Sequence, residues 1–172
     1  MNTMQETVRI EKLTLNFGAG KDQNRLEKGA ALIQSIAGIK PVRTITKKRI
    51  PQWGLRPGLP VGAKLTLRKK PAQDMLKRLL HAKDFKLKAT SIDQEGNISF
   101  GLPEYIDIEG AKYDPAIGIL GLEASVTLSK PGYRVKTRKI REAAIGKRQT
   151  VSKEEAMNFL TKSFNVSFGD TP

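Results

Sequence analysis

Few stretches of this chain could do chemistry. The first is "GAGK", Gly18 to Lys21, which lies between a strand-like run and a helix-like one, where phosphate loops occur. A Walker loop needs four residues between its glycines and a Ser or Thr after the Lys, and Asp22 stands in that place. The dinucleotide fingerprint fails as well, with Gln23 where its third glycine belongs. A tight strand-to-helix turn and a nest of backbone N–H groups touching a phosphate remain as readings. His81 is the only histidine and there is no Cys, so any nucleophile–histidine dyad would have to use it. It falls in the last turn of a helix-like run, an ordinary place for a basic residue. Asp93, Glu95 and Asn97 around Gly96 resemble part of a calcium loop, and Glu104 fits its twelfth position. Glu95 and Ile98 do not fit its third and sixth, so a solvated turn is expected. No HExxH or thiolate ligand set exists, and the expectation is no metal, no cofactor and no catalytic centre.

What remains is charge. The 172 residues hold 31 Lys and Arg against 17 Asp and Glu, a net +14. The excess is concentrated: residues 40–70 carry ten basic groups and no acidic one, and residues 130–172 carry ten and four. Between them, residues 71–129 carry six and nine. A chain made soluble by charge would mix the signs. Two basic blocks around an acidic middle point to one face meeting a polyanion through its phosphates. An anionic membrane would want an amphipathic basic helix or a lipid anchor, and neither is visible. No run of about 18 apolar residues is present, and "MNTMQETVRIEK" lacks the apolar core of a signal peptide. Within the first block, Trp53 sits in a Pro- and Gly-rich loop, either as a packing anchor or as a stacking surface for a base or sugar. Thr66 and Asn16, among basic strand residues, suit recognition of folded RNA by shape and phosphate.

The elements that would position these residues follow from periodicity. Val8–Phe17 alternates as a strand whose register shifts near Glu11–Lys12, a candidate bulge. A helix is expected from Asp22 to Ala37, with Leu26, Ala30, Ile33 and Ala37 on one stripe beside Leu32 and Ile36. Asp22 is its expected N-cap and Gly38 its stop. "KPVRTIT" and "VGAKLTLRKK" read as strands joined by the loop Ile50 to Pro60. Pro71 is expected at the first position of the next helix, which buries Met75, Leu76, Leu79 and Leu80. "DQEGNISF" turns into a strand, "GILGLEASVTLSK" is another, and "YRVKTRK" is expected to pair with it through Pro131–Gly132. Ser152 with Glu155 forms a capping box, and Val151 with Ala156 a staple, for a last helix carrying Phe159, Leu160 and Phe164. The order β-α-β-β-α-β-β-β-α predicts an α+β fold. It has one mainly antiparallel sheet with helices packed on one face, leaving the other uncovered.

"LTLNFGAGK", "SIAGIKPVRTITKKRIPQWGLRPGLPVGAKLTLRKK", "DQEGNISFGLPEYI" and "YDPAIGILGLEASVTL" follow one another in the order of the signature blocks of one family. From about residue 8 to 130 the chain resembles the universal large-ribosomal-subunit protein L five family. Bacterial members carry a further helix before the first strand. The tail, with its "SKEEAM" segment, resembles the archaeal and eukaryotic branch, and the chain is similar to an archaeal-type member. The resemblance implies a single ribosomal-protein domain over 1–172, with a basic loop at 46–60 and a C-terminal arm and helix at 130–168. It implies a structural, non-enzymatic role on the cytoplasmic ribosome, binding 5S rRNA in the central protuberance, with the uncovered sheet face and neighbouring loops as the RNA-binding surface. The other implied partners are large-subunit rRNA, peptidyl-site tRNA, and neighbouring proteins of the central protuberance and small-subunit head. Asn16, Thr66 and Arg68 match RNA-facing positions of the family, and Lys40, Arg43, Thr44, Lys64 and Lys70 complete the expected rRNA-binding set. The tRNA-facing loop corresponds to Thr46–Pro60, with Lys47, Lys48, Arg49, Trp53 and Arg56. The Gln that bacterial members often carry after "AG" is Ile39 here, so no contact of that side chain carries over. Two alternatives stay open from the residues alone: a general basic RNA-binding adaptor, and a nucleotide-using enzyme with GAGK as its phosphate loop.

Overall fold

A computed structural model describes residues 8–169, and most of the stretch considered for a signal peptide lies outside them. The alternating run gives β1, Arg9–Gly18, with Ile10, Leu13, Leu15 and Phe17 buried. Its pairing slips between Ile10 and Lys12, the bulge expected where the register changes. Helix α1, Gln23–Ala37, begins with the Asp22 carboxylate accepting from the Arg25 N–H and ends at Gly38, φ 69°, whose N–H donates to the Gln34 carbonyl. Its buried stripe is Leu26, Gly29, Leu32, Ile33 and Ile36, while Ala30 and Ala37 are only half-buried. Gly29 lets α1 settle on the sheet, because a Cβ there would lie 2.1 Å from Phe17 Cδ1.

The other strands are β2 (Val42–Ile45), β3 (Pro60–Leu67), β5 (Ile98–Leu102) and β6 (Leu122–Ser129). With β1 they form a five-stranded antiparallel sheet in the order β2-β3-β1-β6-β5. Helix α2, Lys69–His81, buries Ala72, Met75, Leu76, Leu79 and Leu80. Helix α3, Lys153–Phe164, carries both hydrogen bonds of the Ser152–Glu155 capping box. Val151 and Ala156 are both buried at its start, as a staple requires. The apolar stripes of all three helices join one core with the inward residues of the sheet. Truncating a fully buried member such as Leu13 to Ala would cost about 2–5 kcal/mol. Two-residue strands β4 (Lys86–Leu87) and β7 (Ser167–Phe168) pair in parallel, a small second sheet the periodicity does not reveal.

Three sequence expectations are corrected. "YRVKTRK" is not a strand: Tyr133–Lys136 is a 3-10 turn, followed by exposed irregular chain. The reason lies in the sheet order, since both edges of β6 are already occupied, by β1 and β5. Strand β3 ends at Leu67, not at Lys70, because Lys69 adopts φ 57° and turns the chain into α2. Pro71 consequently stands third in α2, still within the first turn, where its missing N–H breaks no helical hydrogen bond.

Candidate nucleic-acid interface

In an antiparallel sheet, directly opposed residues project from the same face, so the register defines the surface that the helices leave uncovered. Thr66, Thr14, Ser125 and Ser99 stand in one cross-strand row over four strands. The neighbouring row is Val42, Lys64, Asn16, Glu123 and Gly101. Thr44, Gly62 and Gly18 form the next. The Ser99 and Ser125 hydroxyls lie 2.8 Å apart, and Asn16 Nδ2 donates to Glu123 Oε2 at 3.1 Å. This floor carries the hydroxyls of Thr66, Thr14, Ser125, Ser99 and Thr44, each able both to donate and to accept. Such a surface suits ribose 2′-hydroxyls and phosphate oxygens better than an apolar partner. Its formal charge is modest, with Lys12 and Lys64 against Glu123, so most of the positive charge sits at its margins.

Four of the expected residues, Asn16, Thr44, Lys64 and Thr66, therefore meet on the open face. The others belong to none of these rows. Arg43 opposes Ala63 in register, which turns it to the helix side, 4.0 Å from the Glu27 carboxylate of α1. Val42, 64% exposed, takes the open-face position instead. The Arg68 guanidinium pairs with the Glu11 carboxylate and carbonyl just past the end of β3. Lys70 belongs to the first turn of α2, and Lys40 is exposed ahead of β2. Arg68, Lys69 and Lys70 crowd an α2 N-terminus that has no side-chain cap and no acidic residue in its first turn. Cations there oppose the helix dipole, and of the three Arg68 alone has an acidic partner, Glu11, so this end of α2 is a positive corner.

The loop between β2 and β3 is an ordered hairpin. Thr46 N–H donates to Leu59 O, Gly58 N–H to Thr46 O, and Ile50 and Leu55 exchange backbone bonds around the 3-10 turn Pro51–Trp53. Of the two readings of Trp53, the packing anchor does not hold: it is 66% exposed, and Leu55, at 7%, holds the loop down. Lys47, Lys48, Arg49 and Arg56 are all exposed around it. The GAGK segment supports the loop's base. Ala19 and Gly20 both give their N–H groups to Val61 O, and Gln23 Nε2 donates to Pro60 O. Those two backbone donors are spent within the protein, and the α1 N-terminus is closed by Asp22, which leaves the turn reading of GAGK. His81 is exposed at the end of α2, edge-on to Phe85. Asp93 accepts from the backbone of Glu95 and Asn97 and from Asn97 Nδ2, closing a turn.

Comparison with known proteins decides the family. Residues 2–56 match the family described as ribosomal protein L5, and residues 60–159 match the C-terminus of that same ribosomal family. A large ribosomal subunit protein uL5 from Sulfurisphaera tokodaii is 47% identical over 97% of this chain and 94% of its own length. The uL5 proteins of Sulfolobus acidocaldarius and Nanoarchaeum equitans are 45% and 48% identical over 96% and 92% of the chain. The chain belongs to the ribosomal protein L5 family. As a uL5-family protein it is a component of the large ribosomal subunit, alongside rRNA and other ribosomal proteins, and not an enzyme. The L5 sheet is assembled across both matched segments: β1 and β2 lie in the first, while β3, β5 and β6 lie in the second. Sequence reasoning missed Thr14, Ser99, Ser125 and Thr127 of the L5 open face. Their signal was present, since each alternates with buried apolar residues in its strand, but small hydroxyls carry no charge to attract notice.

Proposed function

We propose that this uL5-family protein, as one domain, binds 5S rRNA in the central protuberance through the open face of its sheet and the basic margin at residues 40–70. The hairpin 46–60 reaches to peptidyl-site tRNA, and neighbours in the central protuberance and small-subunit head complete its surroundings. The observation that carries this reading is the juxtaposition of an uncovered hydroxyl floor with ten cations that have no acidic residue in their own segment. Like charges this dense repel in the free protein, and RNA phosphates relieve them. Lys64 contributes charge, while Thr66, Thr14, Ser125 and Asn16 contribute directional hydrogen bonds. Arg43 and Arg68, paired with Glu27 and Glu11, stand at the edge of this set.

The test is affinity for 5S rRNA as a function of salt. With about six phosphates neutralised, binding should weaken roughly a thousandfold between about 50 and 200 mM salt. At fixed salt, bulk tRNA and anionic liposomes should fail to displace 5S rRNA. A flat salt response would overturn phosphate-dominated binding, and displacement by either competitor would favour a general basic adaptor.

A further inference from the structure

Along the β6 and β5 side of the open face lies a groove of about 620 Å³, within the range of small-ligand sites. Ser99, Ser125 and Thr127 line it from the sheet, and Tyr133, Lys136 and Gln149 line it from the arm that follows β6. Two polar atoms in its walls, the Ser129 hydroxyl and Gln149 Oε1, are buried without a protein partner among the described residues. Ser129 as a whole is 1% exposed. A buried hydroxyl or amide oxygen left unpaired is costly, so such atoms call for an explanation.

The groove is also built to keep its shape. Lys130, buried at the end of β6, sends its Nζ to Glu155 Oε1 at 2.8 Å and to the Arg148 and Thr150 carbonyls at 3.4 Å. That fixes the segment bearing Gln149. Gly96 at φ 73° lets the Asp93–Asn97 turn close on the arm, since a Cβ there would come 2.8 Å from Val151 Cγ1. Formal charge inside the groove cancels, with Lys12 and Lys136 against Asp93 and Glu95. The Asp93 carboxylate is already engaged by its own turn. A run of phosphates would find no net attraction there. A flat, uncharged group with polar edges fits: it could stack on an aromatic ring and pair with an amide and a hydroxyl. Outside the groove, Arg134, Arg138, Lys139, Arg141, Lys147 and Arg148 stand against one acidic residue of the same stretch, Glu142, enough to hold the phosphates on either side of that group.

We infer that this groove receives one unstacked nucleotide of the bound rRNA, its base on the Tyr133 ring and its polar edge turned to the Gln149 amide and the exposed Ser99 and Ser125 hydroxyls. The inference rests on the open face being the RNA interface. The probes are 5S rRNA and large-subunit rRNA, each bound to the full chain. Ultraviolet irradiation followed by mass spectrometry should give a mononucleotide adduct on Tyr133 with one of them. Tyr133→Leu should weaken binding of that RNA about tenfold through lost stacking, while Tyr133→Phe binds as the wild type. Gln149→Ala should fall between them, with thermal midpoints confirming that all variants fold. Lys64→Ala, run in parallel, reports on the open face alone. If Lys64→Ala weakens binding but Tyr133→Leu does not and no adduct forms, the groove holds only water and the inference is overturned while the interface stands. If neither substitution changes affinity for either RNA, the interface reading falls and the inference with it.

Discussion

Asn16 and Glu123 face one another across β1 and β6, and the Asn amide occupies the carboxylate that would otherwise confront RNA phosphates. Thr66 has no such burden. Thr66→Ala should therefore weaken 5S rRNA binding by several-fold, in line with about 0.5–1.5 kcal/mol for one hydrogen bond. Asn16→Ala should lose more, because it also bares Glu123, and adding Glu123→Ala should restore part of the loss. Thermal midpoints should stay near the wild type; a large drop with intact affinity would assign these residues to the fold. A second residue-scale consequence concerns Glu155. Burial pushes its carboxyl up, but the hydrogen bond from Lys130, the Ser152 N–H and the Lys130 charge outweigh it and hold the group below its ordinary value. A carboxylate lowered in the folded state stabilises above its unfolded pKa and loses that contribution as pH falls through the folded one. The difference in thermal midpoint between wild type and Glu155→Gln should thus be present at neutral pH and close in acid. A gap that persists unchanged at about pH 3, below the ordinary Glu value, would show that the ion pair is not its source.

At the scale of elements, the hairpin between β2 and β3 is larger than joining two strands requires, since a two-residue turn would suffice. It is a separate hydrogen-bonded unit anchored by Leu55 and the GAGK turn. Replacing residues 47–58 with Asn-Gly, which keeps Pro60 in β3, should leave 5S rRNA affinity within a few-fold and loosen peptidyl-site tRNA on assembled ribosomes. A hundredfold loss of 5S rRNA affinity, about 2.7 kcal/mol, in a folded variant would make the hairpin part of the primary grip. Helix ends and strand alternation were legible in sequence because their signals are local: Asp22, Gly38, Ser152 with Glu155, and the shift at Glu11–Lys12. "YRVKTRK" was misread because a vacant sheet edge is a property of the whole topology. That Arg43 stands on the helix side of β2 was not legible, because β2 is short and exposed and its alternation does not say which side is inward. Trp53 drew attention by size, whereas Leu55, an ordinary residue in a Pro/Gly-rich run, is the buried one.

For the whole molecule, the fold separates two tasks. Helices and inward strand residues make one core, and the other side of the same strands is left polar and uncovered. The basic block that stands out in sequence frames this surface more than it forms it, and the hydroxyl row at its centre emerges only from the register of strands distant in the chain. The central claim is that RNA lies on this face. Thr66→Glu with Ser125→Glu adds two negative charges to the floor, while Gln34→Glu with Gln73→Glu adds the same charge to exposed positions of α1 and α2. The measurement is the 5S rRNA dissociation constant of both folded double variants at one salt concentration. The face pair should lose at least a hundredfold in affinity, and the helix pair only the few-fold expected from net charge. Equal losses in the two, or a larger loss in the helix pair, would contradict an RNA interface on the open face of the sheet.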